Sequence, residues 1–168
     1  MRKSGILMHI TSLPNPYGIG TMGKCARDFV DFLQAAGQSY WQILPISPTG
    51  YGDSPYQAFS TFAGNHYLID LDMLAEEGLL TREELDGVDW GAEMGRVDYG
   101  RMYAQRGAVL RKAYARFSDK KALDSFTEEN RWWLEDYALF MALKEKFHGR
   151  DWQTWSISLL MRLPGVLE

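Results

Sequence analysis

The sequence predicts an α/β fold: two parallel strands joined by a helix open the chain, and helices fill the rest. Three observations predict it. Gly5 to Ile10 (GILMHI) and Tyr40 to Ile46 (YWQILPI) are short continuous apolar runs, the pattern of strands covered on both faces in a parallel sheet. Between them Ala26, Phe29, Val30 and Leu33 recur at helical spacing, one apolar stripe that Gly37 brings to a stop. Beyond Asp70 the spacing turns helical throughout. At 168 residues there is room for about one domain, and 46% hydrophobic with 24% charged residues supports a packed core.

The first strand, the helix and the second strand form a crossover of the kind that is right-handed in nearly all parallel pairs, so both strands end on one side. Thr11 to Gly20 and Ser47 to Asn65 therefore share a rim, the carboxyl-end rim where ligands bind in open sheets and barrels. Both segments exceed the about 2 to 6 residues usual for such connections. In the helical remainder, Thr81 with Glu84 and Ser125 with Glu128 have capping-box spacing. Leu110, Ala113, Tyr114 and Phe117 make one stripe, and Trp133, Tyr137, Phe140 and Met141 another. Glu83 to Gly95 reads as a turn-rich link, Trp132 to Tyr137 as a helix anchored in the core, and the cations from Arg101 to Lys121 as a solvated face. No third strand follows, and two strands cannot close a barrel.

Composition excludes several function classes. A formal net charge of -4 offers no attraction for phosphate backbones or anionic membranes, so nucleic acid is not expected as a partner. No apolar run reaches the roughly 20 residues of a membrane span. The single cysteine, Cys25, allows no intrachain disulfide, fits a small packing residue and points to a cytoplasmic location. Six tryptophans and nine tyrosines supply flat faces with polar edges, which suit sugars as well as a bulky core.

Gly18, Gly20 and Gly23 spell the dinucleotide-binding G-x-G-x-x-G, but Thr11 to Tyr17 separate them from the strand, and no acidic residue ends the second strand. They are read as loop-shaping glycines, and no cofactor is expected. The segment Thr49 to Asp70 (TGYGDSPYQAFSTFAGNHYLID) is the densest chemical constellation: glycines and prolines fix turns that display tyrosines and neutral hydrogen-bonding groups. A pyranose needs that combination, an aromatic plane for its C–H face and directional partners for its hydroxyls. A polar loop capping the end of the sheet has the same composition. Glycosyl transfer also uses a carboxylate pair, about 5 to 5.5 Å apart when configuration is retained. Asp53, Asp70 and Asp72 are the nearby carboxylates, yet Asp70 and Asp72 suit helix capping, Asp53 equally suits a turn, and no pair stands out. His9, His66 and His148 show no zinc-ligand spacing, and His9 reads as a hydrogen-bonded structural residue at the end of the first strand.

HITSLPNPYGIG (His9 to Gly20), QSYWQILPISP (Gln38 to Pro48), the loop with GYGDSPYQ, and WWLEDYALFMALK (Trp132 to Lys144) together resemble the amino-terminal part of 4-α-glucanotransferases, also called amylomaltases, in glycoside hydrolase family seventy-seven. Ile10, Asn15 and His66 depart from the family pattern, where proline, glycine and proline are common. The resemblance implies an incomplete (β/α)8 TIM barrel: residues 1–72 as its first strand–helix–strand unit with the glucan loop, and 73–168 as a helical insertion. It implies cofactor-free transfer of α-1,4-glucan segments to the 4-hydroxyl of an acceptor through a covalent glycosyl-enzyme intermediate. Tyr56 then resembles the tyrosine lining the donor sugar site and Ser54 a neighbouring hydroxyl contact. From the loop itself, Tyr51 is expected to stack on a more distant glucose, and Asp53 is placed with the same substrate-binding group. The family's nucleophilic aspartate, acid/base glutamate and third aspartate come later than the matched region. The chain alone is thus expected to be inactive and to require the carboxyl-terminal part of the barrel. The competing reading is a non-catalytic α-glucan-binding module.

Overall fold

The computed structural model describes residues 2–50, 52–91 and 95–166. Strand β1 (Gly5–Leu7) pairs in parallel with β2 (Tyr40–Gln42), Ile6 opposite Trp41, across helix α1 (Lys24–Ala35). The expected strand–helix–strand unit is present, with both strands ending on one side. The ladder is shorter than the apolar runs because the chain leaves it once Met8 N–H has bonded Gln42 O: Ile10–Ser12 coil into a 3-10 turn, and Ile10 and Leu13 pack inward with Leu68 instead. Nor are the strands covered on both faces. Leu7 and Tyr40 are each 58% exposed, because among the described residues the sheet has two strands. Of the α1 stripe, Leu33 is buried and Phe29 packs edge-on against Trp41 at 5.0 Å, while Val30 faces out. Gly37, in the left-handed region at φ 68°, ends α1 as read from sequence.

Helices α2 (Leu71–Glu76) and α3 (Arg82–Asp86) come next, the latter opened by the expected capping box: Thr81 accepts from Glu84 N–H and Glu84 accepts from Thr81 N–H. Glu84 also takes a hydrogen bond from Arg116, which holds its carboxyl down at about 2 and ties α3 to a later helix. Since α3 covers residues 82–86, the acidic stretch from Glu83 begins as helix, and its turn-rich part starts only at Gly87. Next α4 (Tyr99–Arg101), a π-helical turn (Met102–Arg106) and α5 (Gly107–Arg116) run on without a break. Their buried face is Met102, Arg106, Val109 and Ala113, not the stripe ending at Tyr114 and Phe117, both of which are exposed. A charged residue in the middle of that face hid it from a count of apolar positions.

The main core joins these helices to the loop after β1: Tyr17, Ile19, Tyr67, Leu71, Leu85, Trp90, Met102 and Val109 share one cluster. Each fully buried member of this size contributes about 1.5–3 kcal/mol. The chain splits into two compact units, Met1–Lys120 and Lys121–Glu168. The glycine triplet belongs to the same packing. A Cβ on Gly18 would lie 2.7 Å from Trp90 O, one on Gly20 1.9 Å from Ile10 O, and one on Gly23 1.8 Å from Asp70 Oδ2. Close approach of the chain to itself accounts for all three.

The second unit holds most of α6 (Lys120–Lys146) and α7 (Ile157–Leu160), and within it Trp155 packs on Phe140 and Phe147 at 5.8 and 5.4 Å. Ser125 lies inside α6, so the second capping box does not form; Glu128 pairs with Arg131 on the helix surface instead. Trp133 is half-buried against Tyr137, but Trp132 is 68% exposed, so the double tryptophan is only half anchored. No described helix is long and apolar enough to cross a membrane.

Candidate functional site

The excursion after β2 is a small hairpin. Its base closes where Asn65 N–H donates to Ile46 O at 2.8 Å, and its arms pair Thr49 with Ala58 and bond Gly50 N–H to Gln57 O at 3.2 Å. Gly50 to Gln57 therefore form the tip. Asp53 N–H donates to Gly50 O and Gln57 N–H to Ser54 O, both at 3.1 Å, so consecutive turns set the tip's shape. Asp53 carries φ 57°, a left-handed conformation that aspartate tolerates better than most residues. Tyr56 is 73% exposed, Ser54 and Asp53 are half-buried, and Tyr51 lies outside the described residues.

Asp53 does more than shape a turn. The Tyr103 hydroxyl donates to Asp53 Oδ1 at 2.6 Å, with Gly50 O at 3.3 Å, so the π-helical turn grips the hairpin from the side. Tyr103 meets Tyr67 edge-on at 5.9 Å. Burial first, then the Asp53 carboxylate, pushes Tyr103 well above the usual phenol range and Tyr67 up to about 12. Tyr99 is raised by burial and then by Asp53, while a hydrogen bond with the Thr11 side chain pulls the other way. Thr11 belongs to the first excursion and Asp53 to the second. Both act on one phenol, that of Tyr99. At neutral pH these raised phenols stay protonated.

Beneath the rim lies a buried polar chain. Asn15 donates to Thr21 Oγ1 at 3.1 Å, Thr21 donates to Asp70 Oδ2 at 2.5 Å, and Asp70 Oδ1 accepts Met73 N–H at 3.0 Å as the N-cap of α2. Asn15 also accepts Tyr17 N–H at 2.8 Å, two bonds that a glycine at this position would not make. Asp72 accepts from the Tyr17 hydroxyl at 2.5 Å and from Arg82. Burial, followed by that bond, pushes the Tyr17 phenol up to about 12. Asp70 thus caps α2 as read from sequence, whereas Asp72 does not cap: it lies in the first turn and is engaged by Tyr17 and Arg82. Tyr17 is buried in the main core; among the described residues, the exposed rings at the rim include Tyr56, Phe59, Phe62 and Tyr103.

Two sequence readings change here. Arg106 does not belong to a solvated face: it is 0% exposed and its Nη2 donates to Ile69 O at 2.5 Å. His9 lies just past β1 rather than ending it, its Nδ1 has no hydrogen-bond partner among the described residues, and burial lowers its pKa. Cys25 behaves as a packing residue whose thiol donates to Thr21 O. Composition and spacing missed Tyr67, Tyr99 and Tyr103. The four-residue spacing of Tyr99 and Tyr103 ahead of a helix was the available signal.

Among known proteins, the family model described as 4-alpha-glucanotransferase, of glycoside hydrolase family 77, matches residues 8–167. The 4-alpha-glucanotransferase of Thermus thermophilus is 52% identical over 96% of this chain and 32% of its own. That of Streptococcus pneumoniae serotype 4 is also 52% identical, over 92% of this chain and 31% of its own. Among solved structures, the amylomaltase from Streptococcus agalactiae in complex with acarbose superposes with a TM-score of 0.91 at 43% identity, covering 97% of this chain and 34% of that one. The chain spans about a third of the length of the curated relatives it matches.

Proposed function

The chain belongs to the 4-alpha-glucanotransferase family, glycoside hydrolase family 77, and from that premise we propose that it forms the glucan-receiving rim of a 4-α-glucanotransferase. In this reading residues 1–72 are the first strand–helix–strand unit of an incomplete (β/α)8 barrel, and 73–168 a helical insertion. The substrates are α-1,4-glucans and maltooligosaccharides. The complete enzyme moves a glucan segment to the 4-hydroxyl of an acceptor by a retaining, covalent mechanism, without cofactor, in the cytoplasm. The carboxylates that break the bond come from residues outside these 168.

One observation carries the reading: a hairpin tip fixed on its flank by Tyr103 and Asp53 leaves the Tyr56 ring free on the rim. An aromatic plane held by a constrained backbone receives a sugar's C–H face with little ordering cost. Ser54 supplies a neighbouring hydroxyl contact, and Tyr51 stacks on a more distant glucose. Asp53, one oxygen of which holds the Tyr103 hydroxyl, keeps its other oxygen for accepting from a glucan hydroxyl.

Titration of the chain with maltoheptaose tests this. Tyr56→Ala is expected to weaken binding about ten-fold, the scale of one lost aromatic stack. Tyr114→Ala, which removes a ring of similar exposure on α5, should leave affinity unchanged. Equal affinities in the Tyr56 variant and the parent chain would refute the assignment. The second reading, a glucan-binding module without catalysis, is favoured by the engagement of Asp53, Asp70 and Asp72 in internal bonds. It separates from the first only by whether supplying the rest of a barrel yields transfer.

A further inference from the structure

We propose that Arg106 is a positioning residue for the glucan-facing hairpin: bonded to the Ile69 carbonyl, it anchors the π-helical turn that carries Tyr103, and through Tyr103 it fixes Asp53 and the tip bearing Tyr56. This rests on the reading of that tip as the glucan contact.

Burial of Arg106 is costly. Both Nε and Nη1 lack a hydrogen-bond partner among the described residues, and nearby Asp70 already accepts from Thr21 and Met73. Burial draws its pKa down to about 10, so the group stays charged at neutral pH. A buried cation with incomplete pairing stabilises a core less than an apolar residue of similar volume. Stability alone does not explain an arginine in line with Met102, Val109 and Ala113.

Geometry does. The wider π-helical turn puts Met102 and Arg106 in the core and Tyr103 at the hairpin. Such turns recur at functional sites. Arg106 Nη2 ties the end of this turn to Ile69, directly after the 3-10 turn His66–Leu68. Tyr67, in that 3-10 turn, provides the edge-on contact for the Tyr103 ring. The link from Ile69 O through Arg106 and Tyr103 to Asp53 is continuous, and methionine at 106 would keep the packing while breaking its first bond.

The test labels the 168-residue chain with 3-fluorotyrosine, assigns the Tyr103 fluorine resonance from Tyr103→Phe, and measures maltoheptaose affinity in parallel. Arg106→Met is expected to move the Tyr103 line toward the exposed-tyrosine position and to weaken binding about ten-fold. Arg106→Lys keeps charge and one donor, so it should give an intermediate line and about a three-fold loss. Tyr103→Phe should weaken binding as much as Arg106→Met, and the double variant should be no weaker than the worse single. A folded Arg106→Met chain with the Tyr103 line in place, or additive losses in the double variant, overturns the proposal. Should Arg106→Met fail to fold, Arg106→Lys decides, an unchanged line and affinity there overturning it. If the parent chain binds no maltoheptaose, the glucan reading falls, while the fluorine line still decides whether Arg106 positions Tyr103.

Discussion

Asp70→Ala is expected to destabilise the chain by about 3–5 kcal/mol, the cost of removing one partner from a buried charge network. Three losses combine. Thr21, which is 0% exposed, keeps a hydroxyl with no acceptor; α2 loses its N-cap; and Arg106 loses the electrostatic support of the Asp70 carboxylate. Methyl-for-hydroxyl replacement in Thr21→Val removes only the first of these and should cost about 1–2 kcal/mol. Against a total stability of about 5–15 kcal/mol for an ordinary domain, the aspartate change approaches complete unfolding. Equilibrium urea denaturation followed by tryptophan fluorescence measures both. A loss below about 1 kcal/mol for Asp70→Ala would mean that the chain from Asn15 to Met73 does not hold the loop after β1 to the helices.

The 168-residue chain, incubated with maltotriose, is expected to produce no longer maltooligosaccharides and no glucose. Retaining transfer needs a nucleophile and a proton donor about 5 to 5.5 Å apart across the scissile bond. The carboxylates nearest the hairpin are committed elsewhere: Asp53 to Tyr103, Asp70 to Thr21 and Met73, Asp72 to Tyr17 and Arg82. A site that binds but lacks both groups loses about 10⁴-fold or more in rate. Product analysis by anion-exchange chromatography over a day of incubation gives the answer. Disproportionation at an ordinary enzymatic rate would show that the chain carries its own acids, and the proposed division of labour between this chain and the rest of a barrel would fail.

The strand–helix–strand unit was legible because its signals are local: two apolar runs, a helical stripe, and a glycine where α1 needs a left-handed residue. The capping box at Thr81 was legible for the same reason, whereas the equal spacing at Ser125 misled, since nothing local says that α6 is already helical there. Strand lengths and exposure were not legible, because they depend on neighbours that sequence windows do not contain. The turns between Gly50 and Gln57 could be read from their glycines and proline, but not the hairpin pairing of Thr49 with Ala58. Its brace could not, because Tyr103 lies 50 residues from Asp53 and belongs to a helix whose inward face carries Arg106, a residue that any polarity count assigns to solvent.

Backbone amide shift mapping with maltoheptaose tests most directly whether glucan meets this chain at the hairpin tip and the tyrosines behind it. Perturbations are expected to concentrate at Gly50 to Gln57, with smaller ones at Thr11, Tyr99 and Tyr103, all needing about ten-fold more maltoheptaose in Tyr56→Ala. Perturbations centred on Trp152, Trp155 and Leu159 in the second unit, or maps unchanged at equal maltoheptaose in the Tyr56 variant, would contradict a glucan site at the tip.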